Sequence, residues 1–277
     1  MTVKLFAPAK INLTLHVTGQ RADGYHLLDS LVVFVDAGDQ IAAQAADVSS
    51  LEVTGPFAGG IPTGPDNLVM KAAEMAGVPM AMTLDKRLPP ASGIGGGSAD
   101  AAAALKAAAR LRGRPASAED VLSLGADVPV CMRAAPARMR GVGELVDRVR
   151  LPALHMVLIN PRVEVPTPAV FARLADKENA PMPEALPEFP DGIALADWLS
   201  TQRNDLEKPA TKVAPEIGAA LTALALMPDV LMVRMSGSGA TCFGLFEDRE
   251  NAEQAARNIA EANPWWWVKS ASTLPSV

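Results

Sequence analysis

Cysteine, histidine and aromatic residues are scarce in this chain of 277 residues. It contains two cysteines, three histidines and one tyrosine, and aromatic side chains make up 4% of the sequence. The cysteines, Cys131 and Cys242, lie far apart and form no Cys-x-x-Cys pair. A disulfide framework and a structural zinc site both need several such residues at suitable spacing, so neither is expected.

Basic residues are not in excess, and long apolar runs are missing. The net charge is −6, which argues against general binding to nucleic acids or membrane surfaces. No apolar stretch approaches the ~20 residues of a membrane helix, and MTVKLFAPAK has no signal-peptide core. Because 49% of the residues are hydrophobic, a sizeable core can form. We expect a mixed α/β protein of the cytoplasm without a nucleic-acid or membrane partner, either monomeric or homodimeric.

Alternating apolar residues predict a first strand over residues 11–17. Lys10 and Asn12 fall on the opposite, polar face of this strand and are expected to point the same way. The pair Asp23-Gly24 predicts a turn, and the following LLDSLVVFVDAGD is typical of a returning strand.

Several helix signals follow in the first half. Asp66 is a candidate N-cap for a helix over NLVMKAAEMAG, and a long alanine-rich helix is expected from about Ala99 to Leu111. SAEDVLSLG predicts a shorter helix. Pro129 favours extended backbone at Val128, the residue before it.

The second half has a different character. A proline-rich segment from Pro166 to Pro190 predicts a loop over the surface. Strand and helix signals on both sides of it follow the order βα(α)ββαβ, which is the ferredoxin-like split βαβ arrangement. We place a domain boundary near residue 150, with domains at 1–150 and 151–277.

The stretch PPASGIGGGSADAAAAL, residues 89–105, sets glycines directly against a helix former. Glycine backbone can approach a ligand closely, and a helix N-terminus adds unsatisfied N–H donors, so the stretch has the parts of a phosphate cradle. The alternative is a flexible loop capped by Ser98. The chain has no Gly-Lys pair for a P-loop, and Ser98 and Asp100 break the GxGxxG pattern. A phosphate site here therefore belongs to another class.

Further stretches resemble a known family. PPASGIGGGSADAA resembles the Pro-x3-Gly-Leu-(Gly)2-Ser-Ser-Ala motif of the GHMP kinase superfamily. Residues 7–13, APAKINL, and 235–246, MSGSGATCFGLF, resemble its two other motifs in the same order. PAKINLTLHVTGQRADGYHLLDSL, GADVPVC, NPRVEVPTPAVF and NDLE resemble the branch that acts on a diphosphocytidyl-methylerythritol. The resemblance spans nearly the whole chain.

The resemblance implies an α+β GHMP kinase fold, with a ribosomal-protein-S5-domain-2-like N-terminal domain and a ferredoxin-like C-terminal domain. It implies phosphoryl transfer from ATP to the 2-hydroxyl of the diphosphocytidyl substrate, in the non-mevalonate isoprenoid pathway. Magnesium should accompany the ATP phosphates, with Ser98 as the protein group able to reach it. The implied ATP-binding residues are Pro89, Ala91, Ser92, Gly93, Ile94, Gly95, Gly96, Gly97 and Ser98, with Asn67 bordering the adenine.

The resemblance also implies which residues react and which recognise the substrate. Asp127 is expected to accept the proton of the substrate hydroxyl, and Lys10 to orient and polarise the pair. An aromatic ring can stack on a base, and an imidazole can hydrogen-bond its edge. The implied substrate-binding residues are Asn12, Tyr25, His26, Phe171, Gly237, Ser238 and Gly239.

Other interpretations stay open at this level. Asp127 could cap a turn, Lys10 could be a solvated surface lysine, and Phe171 could be a core contact. A GHMP kinase acting on homoserine or mevalonate and a nucleotide-binding module without catalysis are the alternative functions. RADGYH together with Phe171 favours the cytidyl substrate, because a base clamp is of no use for a small polyol or an amino acid. Retention of Lys10 and Asp127 argues against the module.

Overall fold

The computed structural model describes residues 1–112 and 115–275 of the chain. The strands are β1 (Thr2–Asn12), β2 (His16–Gln20), β3 (His26–Ala45), β4 (Ser50–Thr54), β5 (Met80–Asp85), β6 (Ala137–Gly141), β7 (Leu145–Arg148), β8 (His155–Asn160), β9 (Val230–Met235), β10 (Cys242–Phe246) and β11 (Trp267–Ser272). The helices are α1 (Leu68–Met75), α2 (Gly96–Arg112), α3 (Ala118–Leu124), α4 (Val128–Arg133), α5 (Thr167–Phe171), α6 (Gly192–Ser200), α7 (Glu207–Val213), α8 (Glu216–Ala225) and α9 (Arg249–Ala262). Within the described ranges, no helix is long and apolar enough to cross a membrane.

The chain forms two compact units whose segments alternate along the sequence. Unit 1 comprises Met1–Lys10, Ala37–Pro90 and Gly95–Ala134. Unit 2 comprises Ile11–Asp36, Ala91–Ile94 and Ala135–Val277. The chain passes from one unit to the other within β1 and β3. The expected boundary near residue 150 divides the chain at one point, whereas each of these units combines three segments. That boundary stays a prediction.

Unit 1 combines a small sheet with packed helices. β4 pairs in parallel with β5, and β5 pairs antiparallel with residues 40–45 of β3. Burial alternates along β5 and places Met80, Met82 and Leu84 in the core. α2 contacts both α1 and α4. Its buried residues are mostly alanine, and such short side chains let neighbouring helices approach closely.

Three details of unit 1 differ from the sequence-based expectation. The N-cap of α1 is Asn67 rather than Asp66, because the Asn67 Oδ1 accepts a hydrogen bond from the Val69 N–H at 2.8 Å. α2 begins at Gly96, three residues before the expected start. Val128 is not extended but opens α4, since a proline in the first helical turn gives up only an N–H that has no partner inside the helix.

In unit 2, residues 28–32 of β3 pair antiparallel with β6, which pairs antiparallel with β7. The N-terminal part of β3 also pairs with β2. The single strand expected over residues 11–17 is therefore wrong: β1 ends at Asn12 and β2 starts at His16. In the intervening segment the Leu13 N–H still donates to the Leu31 carbonyl at 2.8 Å.

A second sheet of unit 2 has the order β11-β8-β10-β9, with neighbouring strands antiparallel. In chain order this is 4-1-3-2, and the strands and helices from β8 onwards confirm the expected split βαβ arrangement. α8 and α9 pack on this sheet around a core that includes Ile159, Ile217 and Leu224. The sequence did not predict α7.

A buried cluster of three charges stabilises unit 1. The Lys86 Nζ donates to Asp39 Oδ2 at 2.5 Å and to Asp100 Oδ2 at 2.7 Å. Burial lowers the pKa of Lys86, but the two carboxylates outweigh it and raise that pKa. Burial and the neighbouring Asp39 raise the pKa of Asp100 to about 7, against the opposing effect of Lys86. One cation therefore serves two carboxylates in this cluster.

A buried ion pair in unit 2 fixes part of the proline-rich segment. Arg138 forms two hydrogen bonds with the Asp29 carboxylate, at 2.8 and 2.7 Å. Asp29 also accepts from the Met182 N–H at 2.9 Å, and Arg138 donates to the carbonyls of Pro183 and Glu184 at 2.8 and 2.9 Å. The segment expected to be a surface loop is thus attached at Met182, which is itself buried.

The Asp100 carboxyl should make stability depend on pH. Its pKa is higher in the folded chain than in an unfolded one, so its contribution is present below about pH 4 and lost as the pH rises through 7. We expect the free energy of unfolding, relative to Asp100→Asn, to fall by up to about 1.4 kcal/mol per pH unit in this window. Urea unfolding of both proteins at a series of pH values measures it. A difference that stays constant from pH 4 to pH 7 would contradict the assignment.

Removing the arginine of the unit 2 pair should strongly destabilise the protein. Arg138→Met leaves the Asp29 carboxylate buried without its cation, and such a change costs about 3–5 kcal/mol. Arg140→Met is the matched control, because Arg140 pairs with Asp147 near the surface and such pairs contribute only about 0.2–1 kcal/mol. Denaturant unfolding of the two variants measures both values. Equal losses would show that the Asp29 pair has no special role.

Candidate active site

An ion pair in unit 1 joins two residues that the sequence singled out. Lys10 lies near the end of β1 and Asp127 directly precedes α4, and the Lys10 Nζ is 2.6 Å from Asp127 Oδ1. The Lys10 side chain is 5% exposed and that of Asp127 33%. Lys10 is therefore not a solvated surface lysine. Asp127 occupies the N-cap position of α4, but its side chain makes no capping hydrogen bond, so the carboxylate interacts with Lys10 instead.

The start of α2 lies beside this pair. Gly95 has φ of +65°, and a Cβ placed there would lie 3.3 Å from the Lys10 Cβ and 3.8 Å from Asp127 Oδ2. The Gly95 carbonyl accepts from the Ala99 N–H at 2.9 Å, which opens the helix. The N–H groups of Gly96, Gly97 and Ser98 precede that bond and have no acceptor within the helix. Unit 1 thus brings a carboxylate, an ammonium group and an anion-binding helix end together.

The other part of the glycine-rich stretch belongs to unit 2, where it meets the third motif. A Cβ on Gly93 would lie 2.5 Å from the Ser236 carbonyl oxygen and 2.7 Å from that of Gly239. A Cβ on Gly237 would lie 2.6 Å from the Gly93 carbonyl oxygen. Gly93 and Gly237 both have positive φ, so glycine is required at each by conformation as well as by space.

Two of the side chains expected to bind the substrate, His26 and Phe171, contact each other in unit 2. The rings of His26 and Phe171 stack, with centroids 4.4 Å apart and an angle of 22° between their planes. Phe171 also packs against the unit 2 core, whereas Tyr25 is 64% exposed. Burial, helped by Lys177, lowers the pKa of His26. Its buried Nε2 has no hydrogen-bond partner among the described residues. A neutral imidazole there can form a hydrogen bond with a polar group of a ligand.

Asn12 is almost completely buried and only partly satisfied. Its Nδ2 donates to Ser30 Oγ at 2.7 Å and its backbone N–H to Ser236 Oγ at 3.0 Å. Its Oδ1 is buried without a partner in the described part of the chain. Ser238 Oγ lies 2.8 Å from Thr167 Oγ1, beside the glycine turn.

The remaining expected residues are held by their own surroundings. Asn67 donates to the Pro62 carbonyl at 2.7 Å and caps α1, so both ends of its amide are occupied by local backbone. Ser92 and Ile94 are buried, and Ala91 has φ of +48°. Among the described residues, no group of three or more His, Cys, Asp or Glu side chains could hold a metal ion.

The sequence interpretation missed three side chains close to these features. Lys86 lies under the start of α2, where a Cβ on Gly96 would be 3.2 Å from its Nζ. Asn204 donates to the Gly237 carbonyl of the third motif, and Ser236, inside that motif, donates to the Gly93 carbonyl of the glycine-rich stretch. Ser236 directly precedes Gly237, so its position in the motif was the available signal. Asn204 opens the stretch NDLE that carries part of the family resemblance, but that stretch does not show what the side chain contacts. Lys86 carries no local pattern that separates it from an ordinary surface residue.

Comparison with known proteins covers most of the chain. The profile described as GHMP kinases N terminal domain matches residues 67–137, and GHMP kinases C terminal matches 184–264. A 4-diphosphocytidyl-2-C-methyl-D-erythritol kinase of Dinoroseobacter shibae is 57% identical over 95% of this chain and 92% of its own length. The enzyme of that name from Ruegeria pomeroyi is 55% identical over 99% of this chain and 100% of its own.

Solved structures agree with these matches. A crystal structure of 4-(cytidine 5'-diphospho)-2C-methyl-D-erythritol kinase has a TM-score of 0.79 at 31% identity, over 99% of this chain and 100% of that one. A homoserine kinase from Cytophaga hutchinsonii has a TM-score of 0.66 at 20% identity, over 99% and 94%, and shares the fold. The expected α+β GHMP kinase fold is confirmed. The chain belongs to the GHMP kinase family, among the relatives named 4-diphosphocytidyl-2-C-methyl-D-erythritol kinase.

Proposed function

We propose that this enzyme transfers the γ-phosphoryl group of ATP to the 2-hydroxyl of 4-diphosphocytidyl-2-C-methyl-D-erythritol. The observation that supports this most directly is the Lys10–Asp127 pair beside Gly95 and the start of α2. A carboxylate that is one-third exposed, held by a buried ammonium, can meet a substrate hydroxyl without losing its position. The relatives' names support the choice of substrate. The cytoplasmic location expected from the sequence belongs to the same proposal.

In the proposed reaction the hydroxyl oxygen attacks the γ-phosphorus directly. The new O–P bond forms while the bond to the β-phosphate bridging oxygen breaks, and ADP leaves. Asp127 accepts the hydroxyl proton, and Lys10 holds the carboxylate and stabilises the charge that develops. The N–H groups of Gly96, Gly97 and Ser98, together with the positive end of the α2 dipole, bind the phosphates. Positioning and charge neutralisation account for most of the rate enhancement.

Magnesium fits this site only as a companion of ATP. The described residues offer no cluster of carboxylates for it, so the phosphate oxygens would supply most of its ligands. The Ser98 hydroxyl, in the first turn of α2, is the protein group that we assign to the ion. When bound, the ion neutralises phosphate charge.

Recognition of the substrate is assigned to unit 2. His26, stacked on Phe171, presents an unpartnered Nε2 that can hydrogen-bond the cytosine edge, and exposed Tyr25 can stack on the ring. The buried, unpartnered Asn12 Oδ1 is an acceptor for the methylerythritol hydroxyls. The turn over residues 237–239 is assigned to the same substrate. A homoserine or mevalonate kinase would not need the aromatic residues to bind its substrate. A nucleotide-binding module without catalysis would not need the Lys10–Asp127 pair.

Asp127→Asn should remove the proton acceptor and leave binding intact. A general base contributes about 10²–10⁴-fold, so kcat should fall at least about a hundredfold, while the affinities for both substrates change little. The melting temperature should fall, because the buried Lys10 ammonium group loses its counter-ion, so the kinetics and the affinities are measured at a temperature at which the variant is folded. Steady-state kinetics, calorimetry and thermal unfolding on one preparation measure all three. Asp66→Asn, at an exposed position, is the control, and a stable Asp127→Asn enzyme keeping more than about a tenth of kcat would remove Asp127 from the chemistry.

Tyr25→Ala should weaken recognition of the cytidyl substrate. Stacking of a base on an aromatic ring is worth roughly 1–3 kcal/mol, so KM for this substrate should rise about tenfold or more, with a smaller change in kcat. Tyr25→Phe keeps the ring and should retain most of the native KM. Initial rates with each substrate varied in turn measure this. A rise in KM for ATP instead would place Tyr25 on the donor side of the reaction.

A further inference from the structure

The Ser236 hydroxyl joins three segments of unit 2. It accepts the Asn12 backbone N–H at 3.0 Å and donates to the Gly93 carbonyl at 3.0 Å. Ser236 is fully buried, so water does not replace either bond. The hydroxyl therefore links the end of β1, the glycine-rich stretch and the third motif through a single oxygen atom.

Neighbouring hydrogen bonds hold the same stretch in place. The Thr241 N–H donates to the Ser92 carbonyl at 3.1 Å, and Asn160 Nδ2 donates to Thr241 Oγ1 at 3.0 Å. A side chain at Gly93 would collide with the Ser236 and Gly239 carbonyls, so the backbone packs there without one. Residues 91–94 are thus seated against the third motif by hydrogen bonds and by contact.

The Asn204 side chain also holds the third motif. Its Nδ2 donates to the carbonyls of Met235 and Gly237, both at 2.8 Å, and so spans Ser236. Its Oδ1 accepts from the Leu206 N–H at 2.9 Å, which fixes the orientation of the amide. The side chain uses both Nδ2 hydrogens on the two residues that flank Ser236. It thereby restrains the backbone on both sides of Ser236.

We propose that Ser236 and Asn204 are positioning residues for ATP: they hold residues 91–94 in the conformation that presents the glycine-rich stretch to the phosphates. This inference rests on the proposed kinase function. Neither side chain needs to touch a substrate. Gly93 is two residues before Gly95, so an altered Gly93 carbonyl changes the path on which the chain enters α2. Loss of the Ser236 hydroxyl would leave the Asn12 N–H buried without an acceptor and release the Gly93 carbonyl.

The test compares Ser236→Ala with Ser236→Thr, which keeps a hydroxyl. In Ser236→Ala we expect KM for ATP to rise about tenfold or more, because misplacing a binding segment by a fraction of an ångström is enough for such a loss. KM for the cytidyl substrate should rise by less than KM for ATP, because the Asn12 side chain keeps its hydrogen bond to Ser30 and Gly237 keeps its hydrogen bond from Asn204. Ser236→Thr should recover most of the ATP affinity. Ser272→Ala, which removes the hydroxyl hydrogen-bonded to His155, is the matched control and should leave both KM values unchanged.

Asn204→Asp provides a second variant of nearly the same shape. It replaces the Nδ2 donor with an acceptor that faces two carbonyl oxygens, so ATP affinity should fall in the same direction. Calorimetry of ATP binding and thermal unfolding accompany the kinetics for every variant. A lower melting temperature with unchanged ATP affinity in both variants would reduce the two residues to a structural role and overturn the inference. If the native enzyme neither binds ATP nor phosphorylates the cytidyl substrate, the proposed function itself fails.

Discussion

The ion pair between Lys10 and Asp127 is the interaction on which the candidate site depends. A buried ammonium group without a counter-ion is strongly disfavoured, so Lys10 cannot occupy its place near the end of β1 unless Asp127 faces it. The same requirement prevents Asp127 from capping α4, which would be the usual role of an aspartate at that position. Gly95 completes the arrangement, because any side chain there would press on the Lys10 stem. The carboxylate is thus both fixed and reachable.

Close backbone approach is a second constraint, and it explains why glycines recur in two distant motifs. Gly93 and Gly237 each stand where a Cβ would collide with the other's backbone or that of its neighbours. Contacts of this kind can be held only by hydrogen bonds from outside the glycines, since glycine has no side chain to pack. The fully buried Ser236 and the nearly buried Asn204 supply them. Flexible residues are in this way given one conformation by rigid neighbours.

Much of the fold could be predicted from local sequence. The order of strands and helices from β8 to β11 was predicted apart from α7, because apolar periodicity, glycine turns and proline breaks agree with one another there. The starts of helices were less predictable. Asn67 rather than Asp66 caps α1, and Val128 is helical despite the following proline, because the first turn of a helix tolerates what its interior does not. These outcomes depend on the path of the preceding loop, which leaves no local pattern.

The candidate site, like the fold, could be predicted only in part. The glycines, Lys10 and Asp127 were identified from motifs in the sequence, whereas the partner of the Phe171 ring was not. Phe171 stacks on His26, and contacts between residues so far apart in the chain are set by tertiary structure. Lys86 was missed for another reason. A lysine among aspartates usually lies at the surface, and only burial shows that this one is shared by two carboxylates.

The alternation of the two units along the chain has a consequence for biosynthesis. All three segments of unit 1 have been translated once the ribosome reaches Ala134. Unit 2 includes the early segment Ile11–Asp36 but also needs β11, which is translated much later. Within the early segment of unit 2, β2 can pair with β3 at once, but Leu15 meets Arg203 only after more than half of the protein has been translated. Val17 and Leu15, buried in the unit 2 core, belong to that early segment. The nascent chain thus exposes apolar surface for most of its synthesis, which is when chaperones bind.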